Sequence, residues 1–320
     1  MPGYAKDTLR MTGIALALLV LFGAIGIGIE RTNRAQAIAP ISPSPVDTSD
    51  QDLLVDAAWL AAQLDGETPP VVIDASDARQ YALEHVPGAI HLWWQDTMYL
   101  NSPVYGAAFN LSARSASRPD IGATQEQTIV VYDNMTSTYA SRIVWQLRTS
   151  GYSNAKVMDG GLAAWKGAGF PVTADTHAPQ QVPAPTKAWI ASNEITTDEL
   201  VDLLDSPGMV ILDTRNANQR QDTVNDTIRS GQIPGSRQLS ADSVMRADGT
   251  FRDPDDLAAI FANAGLSQTD TIVVYGRFGV ETGQVWLALR LAGYDNVRIY
   301  DAGWITWGGD PSLPIEPLGG

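Results

Sequence analysis

The residues best placed to do chemistry form one short run, Gly276-Arg277-Phe278-Gly279-Val280-Glu281, directly after the apolar stretch Thr271-Ile272-Val273-Val274-Tyr275. An apolar run that stops at glycines reads as a buried strand ending in a loop. Loop N–H groups that turn inward ahead of a helix make an anion-stabilising nest. Arg277 adds a guanidinium suited to planar oxyanions, and Glu281 adds a carboxylate fit for acid–base work. Two readings of Arg277 stay open: a ligand contact, or a salt bridge to Glu281 four residues on.

Other chemistries are absent from the composition. The 320 residues include no cysteine, which excludes disulfides, thiolate metal sites and thiol nucleophiles. The three histidines, His85, His91 and His177, have no metal-ligand spacing, so no metal site is predicted. His85 and His91 flank a Pro-Gly turn and read as structural. The formal charge of −15 and the lack of a Lys/Arg stripe argue against nucleic acid. No cofactor is expected.

The elements that position the loop occur twice. Thr128-Ile129-Val130-Val131-Tyr132 is repeated verbatim at Thr271–Tyr275. Arg148, Gly151, Tyr152, Asp159 and Trp165 then recur, at constant spacing, as Arg290, Gly293, Tyr294, Asp301 and Trp307. Upstream, Val72-Ile73-Asp74 matches Ile211-Leu212-Asp213, and Val86-Pro87-Gly88 matches Ile233-Pro234-Gly235. A period of about 140 residues is too long for a solenoid and reads as a duplicated domain. In each copy, apolar runs alternate with helical stretches, which predicts an α/β fold with a parallel sheet flanked by helices. The helix after each TIVVY run is expected over Ser141–Ser150 and Thr282–Ala292, with Gly151 and Gly293 just past its end. Ligands in such sheets gather beyond the carboxyl ends of the strands. Asp213-Thr214-Arg215 predicts a local ion pair, and Trp165, Trp304 and Trp307 read as packing residues.

Met11 to Ile29 carries no charge, and Lys6 and Arg10 precede it. At about 1.5 Å per residue this stretch spans a bilayer core of about 30 Å as a helix. It reads as an N-terminal transmembrane anchor or, with Ala35-Gln36-Ala37 as a cleavage site, as a signal segment. Either places the remainder outside the cytoplasm. The organisation expected is 1–30 anchor or signal, 31–50 linker, 51–173 first domain, 174–190 Pro-rich linker and 191–320 second domain.

The run from Tyr81 through His85-Val86-Pro87-Gly88-Ala89 to Leu92 resembles the N-terminal signature of the tandem-domain rhodanese family, the thiosulfate and 3-mercaptopyruvate sulfurtransferases. The run from Val297 through Asp301-Ala302-Gly303-Trp304 to Trp307 is similar to its C-terminal signature. The resemblance covers about Leu53 to Pro317 and implies that the family's catalytic cysteine would stand at Gly276. Glu281 stands where the family has threonine. The family reaction passes a sulfane sulfur through a cysteine persulfide, so the resemblance implies an inactive degenerate site. It also implies an anion-holding role for Arg277 with Gly279 and Val280. Arg142 opens the first-copy helix that resembles the facing wall of the cleft, as a ligand contact or as a solvated or ion-paired surface residue. The expected ligand is a small anion (thiosulfate, sulfate or a carboxylate) or a protein partner that the sequence does not identify. The alternatives are an enzyme of altered chemistry using Arg277 and Glu281, and a structural partner in a membrane complex.

Overall fold

The structure is a computed structural model that describes residues 52–98, 120–134, 136–183, 185–221 and 229–318. These belong to one compact unit, Pro43–Gly320. The apolar segment Met11–Ile29 lies outside the described residues. Among the described residues, no helix is long and apolar enough to cross a membrane.

The first copy runs β1 (Leu54–Val55), α1 (Ala57–Leu64), β2 (Val71–Asp74), α2 (Ala78–Leu83), β3 (Ile90–His91), β4 (Ile129–Tyr132), α3 (Thr138–Thr149), β5 (Ala155–Met158) and α4 (Gly161–Gly167). The second runs α5 (Thr197–Leu203), β6 (Met209–Asp213), α6 (Ala217–Gln221), β7 (Arg237–Gln238), α7 (Pro254–Asn263), β8 (Thr271–Tyr275), α8 (Thr282–Leu291), β9 (Val297–Ile299) and α9 (Gly303–Gly309). Both sheets are parallel, in the orders β1-β5-β4-β2-β3 and β7-β6-β8-β9. The order β5-β4-β2-β3 is repeated as β9-β8-β6-β7. The counterpart of β1 shrinks to a single bridge between Glu194 and Ile299.

Each TIVVY strand lies in the interior of its sheet, and its tyrosine anchors a neighbouring turn. The Tyr132 hydroxyl donates to Asp74 Oδ2 at 2.8 Å and accepts from the Val86 N–H at 2.9 Å. Tyr275 accepts from the Ile233 N–H at 3.2 Å. The Pro-Gly turns of both copies are thus fixed to a central strand. Burial pushes both phenols well above their ordinary range.

Helices α3 and α8 are buried almost all round, and their apolar side chains join both sheets in one shared core. Gly283 sits at their closest approach: a β-carbon there would stand 2.6 Å from the Arg142 backbone nitrogen. Both helices end as predicted. Gly151 and Gly293 take φ of +86° and +81°, and Tyr152 and Tyr294 each bond back to a carbonyl five residues earlier. Helix α3 begins at Thr138, a turn ahead of the expected Ser141, because the Asp133 carboxylate satisfies the N–H groups of Tyr139 and Ala140 at 2.9 and 3.0 Å.

The Pro-rich stretch after Thr173 is laid against the first copy. Gln125 accepts from the Thr186 and Lys187 N–H groups at 2.9 and 2.8 Å. His85 places its ring nitrogens 2.6 Å from the Tyr81 carbonyl and 3.0 Å from that of Asp175, the structural role read from the sequence.

Candidate functional site

The loop 276–281 joins β8 to α8 and is fixed from two sides. The Trp304 and Ile305 N–H groups at the start of α9 donate to the Gly276 and Arg277 carbonyls at 2.8 and 3.1 Å. From the first copy, Arg142 reaches across, donates to the Gly279 carbonyl at 3.2 Å and pairs with Asp301. Gly279 has φ of +73°, and a β-carbon there would meet Asp301 Oδ1 at 2.7 Å. Arg142 does face this loop. It is a buried internal clamp, at 1% exposure, and neither a solvated surface residue nor part of the cleft lining.

Glu281 folds back over Gly276. Its Oε1 accepts from the Arg277 main-chain N–H at 3.0 Å, and Gln219 Nε2 approaches at 3.4 Å. A β-carbon at position 276 would lie 2.8 Å from both Cδ and Oε1 of Glu281. Glu281 thus meets Arg277 through the backbone N–H. The Arg277 guanidinium stands over the Phe278 ring, 5.1 Å from its centroid.

The first copy closes its matching loop in the same manner. Asp133 follows Tyr132 as Gly276 follows Tyr275, and its buried carboxylate accepts from the Ser137, Tyr139 and Ala140 N–H groups. Each copy thus fills its own loop with an internal carboxylate, from the first loop position in one and from the helix entry in the other. Asp133 lies one residue past the verbatim match, where the second copy has Gly276, and the repeat did not single it out.

Between the copies, beyond the strand ends, lies a cleft of about 320 Å³. Trp94 and Tyr139 of the first copy face Asp242, Phe278, Glu281 and Gln284 of the second. Val280 lines it and packs with Trp94 and Met98. Of these wall residues, only Val280 and Glu281 were candidates from the sequence. The others come from separate loops and carry no local motif.

A family model described as the rhodanese-like domain matches residues 56–168 and again 196–310. This chain belongs to the rhodanese-like family. A thiosulfate sulfurtransferase of Corynebacterium glutamicum is 27% identical over 303 residues, covering 87% of this chain and 95% of that protein. A 3-mercaptopyruvate sulfurtransferase of Escherichia coli is 29% identical over 287 residues, covering 82% and 98%. Among solved structures, wild-type EanB superposes with a TM-score of 0.74 at 19% identity, covering 83% of this chain and 69% of that one. A complex of an EanB variant with hercynine gives 0.75 at 20%, covering 83% and 69%. The likeness to these structures is one of fold.

This rhodanese-like chain is a tandem pair without the family's cysteine, and Gly276 occupies that position. Asp213 and Arg215 form the predicted local pair, with Nε to Oδ1 at 2.8 Å and a second bond of 2.7 Å, both fully buried. Trp165, Trp304 and Trp307 are packing residues, at 2%, 4% and 0% exposure.

Proposed function

We propose that this rhodanese-like chain is a non-catalytic binding module, held outside the cytoplasm by its N-terminal apolar segment, with the cleft between its copies as the ligand site. One observation carries the reading. Position 276 offers no thiol, and the Glu281 carboxylate covers the space a side chain there would need. Sulfur transfer by the family route forms a sulfur–sulfur bond to a thiolate and later breaks it, and no other side chain in the chain replaces that carrier. Loop closure accounts for Glu281 without assigning it acid–base chemistry. The loop already holds an anion, its own carboxylate, so thiosulfate, sulfate or a foreign carboxylate would have to displace Glu281 from the Arg277 N–H.

The test is a thiosulfate:cyanide assay on the purified full chain. No turnover above a protein-free blank is expected, and turnover that scales with protein concentration overturns the reading. Tethering is tested separately. The full chain is expected to resist alkaline carbonate extraction from membranes, and release by carbonate would remove the anchor from the proposal.

A further inference from the structure

We propose that Asp159 is a pH-sensitive latch between the two copies: it ties the hairpin Met245–Phe251 of the second copy to the first and, through that hairpin, sets one wall of the cleft. The latch goes beyond the reading of the chain as a binding module and does not depend on which ligand the cleft takes.

Asp159 and Asp301 are counterparts in the duplication, following β5 and β9, and each reaches across to the other copy. Arg142 and Gln284 are counterparts at the same offset. Each donates to a loop carbonyl of the opposite copy, Arg142 to Gly279 at 3.2 Å and Gln284 to Thr136 at 2.5 Å. Those two carbonyls are equivalent as well, each belonging to the fourth residue after the tyrosine of its TIVVY strand. The symmetry breaks at one point. Arg142 also brings a positive charge to Asp301, whereas Gln284 has none to offer Asp159. Among the described residues Asp159 has no ion pair. Its Oδ1 instead accepts from the Phe251 N–H of the other copy at 3.0 Å and from the Gly160 N–H at 3.1 Å.

A carboxylate drawn into a seam without a counterion resists ionisation. On the second copy's side Asp159 faces Arg246 and Asp248, which act in opposite directions, and Arg246 is itself bound to Asp253 at 2.5 Å. From its own copy it faces the Gly160 N–H. Burial outweighs the N–H groups and Arg246 and lifts the carboxyl to about 6. Released into water, the same group returns to its ordinary value of 3.8. The latched form therefore holds the proton more tightly than the released form. Its advantage is full below 3.8 and is lost as pH rises through about 6.

The hairpin leads directly to the cleft. It follows the short turn Ala241–Val244, and Ala241 and Asp242 belong to the cleft lining. Hairpin and turn are tied together. The Arg252 N–H and Nε donate to the Val244 and Ser243 carbonyls at 3.0 and 2.9 Å, and the Met245 N–H donates to the Asp242 carbonyl at 3.3 Å. The hairpin also lies close against the first copy, since a β-carbon on Gly160 would stand 3.3 Å from Thr250 Cγ2. Phe251 is buried in the core that both copies share, at 1% exposure. Ionisation of Asp159 therefore loosens the hairpin and the adjoining wall locally and leaves the copies joined.

The experiment is hydrogen–deuterium exchange of the full chain in mild detergent from pH 4 to 8, corrected for the intrinsic pH dependence of exchange. Mass spectrometry follows peptides covering the hairpin, 245–252, and the cleft wall, 239–244. Protection of both should fall by up to about a hundredfold as pH rises and level off above about pH 6. Asp159→Asn keeps the acceptor without the ionisation, and its protection should not change with pH. Protection of the wild-type hairpin that stays constant over this range overturns the proposal. So does a fall that persists in Asp159→Asn, which would place the titrating group elsewhere. A fall confined to the hairpin, with 239–244 unchanged, overturns the link to the cleft wall.

Discussion

Arg142 of the first copy and Asp301 of the second form an ion pair in which neither side chain is more than 2% exposed. The guanidinium also bonds to the Gly279 carbonyl and lies 4.8 Å from the Trp145 ring centroid, so its charge is shared among the carboxylate, a peptide dipole and an aromatic face. Removing one member of a buried pair leaves a charge without its counterion and costs about 3–5 kcal/mol, whereas replacing both with apolar residues is far milder. Asp301→Ala should therefore destabilise by about that amount, and Arg142→Met with Asp301→Leu by much less. Urea unfolding of the two proteins checks the difference. Equal losses would show that the pair itself, and not the orphaned charge, carries the effect.

A second contact between copies predicts a pH dependence. Asp159 Oδ1 accepts from the Gly160 N–H at 3.1 Å and the Phe251 N–H at 3.0 Å. Burial raises its pKa to about 6, against the pull of those two N–H groups and of Arg246, with Asp248 adding to the rise. The folded chain thus holds this proton more tightly than the unfolded chain. Its stability contribution is full below the ordinary value of 3.8 and is lost as pH rises through about 6. Asp159→Asn keeps the acceptor and removes the ionisation. It should raise stability at pH 7 by about 1–2 kcal/mol and make the decline between about pH 4 and 6 shallower. A decline of comparable size should persist from about pH 4.5 to about pH 7 from Glu194, which burial and then the charge of Asp301 also shift upward, to about 7. A variant less stable than wild type at pH 7 would contradict this.

Much of the fold was readable because buried parallel strands announce themselves as apolar runs, and this chain states them twice. Val71–Asp74, Ile129–Tyr132 and their counterparts lie where the repeat put them. The pairing of Arg142 with Asp301 was not readable, since no local spacing links residues 159 positions apart. Glu281 teaches a different lesson. Its spacing from Arg277 left a salt bridge open as one of two readings, and within the loop the carboxylate accepts from the Arg277 backbone N–H. The aromatic wall escaped notice because Trp94, Tyr139 and Phe278 meet only after the copies pack together.

Gly283 offers a test in which packing and helix propensity disagree. It lies inside α8 at ordinary helical φ, where alanine is favoured by about 1 kcal/mol. Yet the added methyl would stand 2.6 Å from the Arg142 nitrogen and 2.8 Å from both Arg142 Cα and the Ser141 carbonyl carbon, all backbone atoms of a buried helix. Overpacking of this kind costs about 1–3 kcal/mol. Gly283→Ala should lower the unfolding midpoint, and a raised midpoint would show that α3 and α8 separate more readily than their burial implies.

The last prediction concerns restoring the missing nucleophile. Gly276→Cys alone places a β-carbon 2.8 Å from the end of the Glu281 side chain, which must swing aside and stay close to the new sulfur. A neighbouring carboxylate raises a thiol's pKa by about a unit or more, so roughly a tenth of the usual thiolate survives at neutral pH. Glu281→Thr in the same protein removes that charge and frees the Arg277 N–H to stabilise a thiolate. The single variant should therefore show negligible thiosulfate:cyanide activity and slow alkylation by iodoacetamide. The double variant should alkylate about tenfold faster at pH 7 and gain measurable sulfur transfer. The pH profile of alkylation separates the two causes. A lowered thiol pKa in the double variant assigns the effect to the Glu281 charge, while equal pKa values and equal activity would show that Glu281 never closed the loop against the reaction.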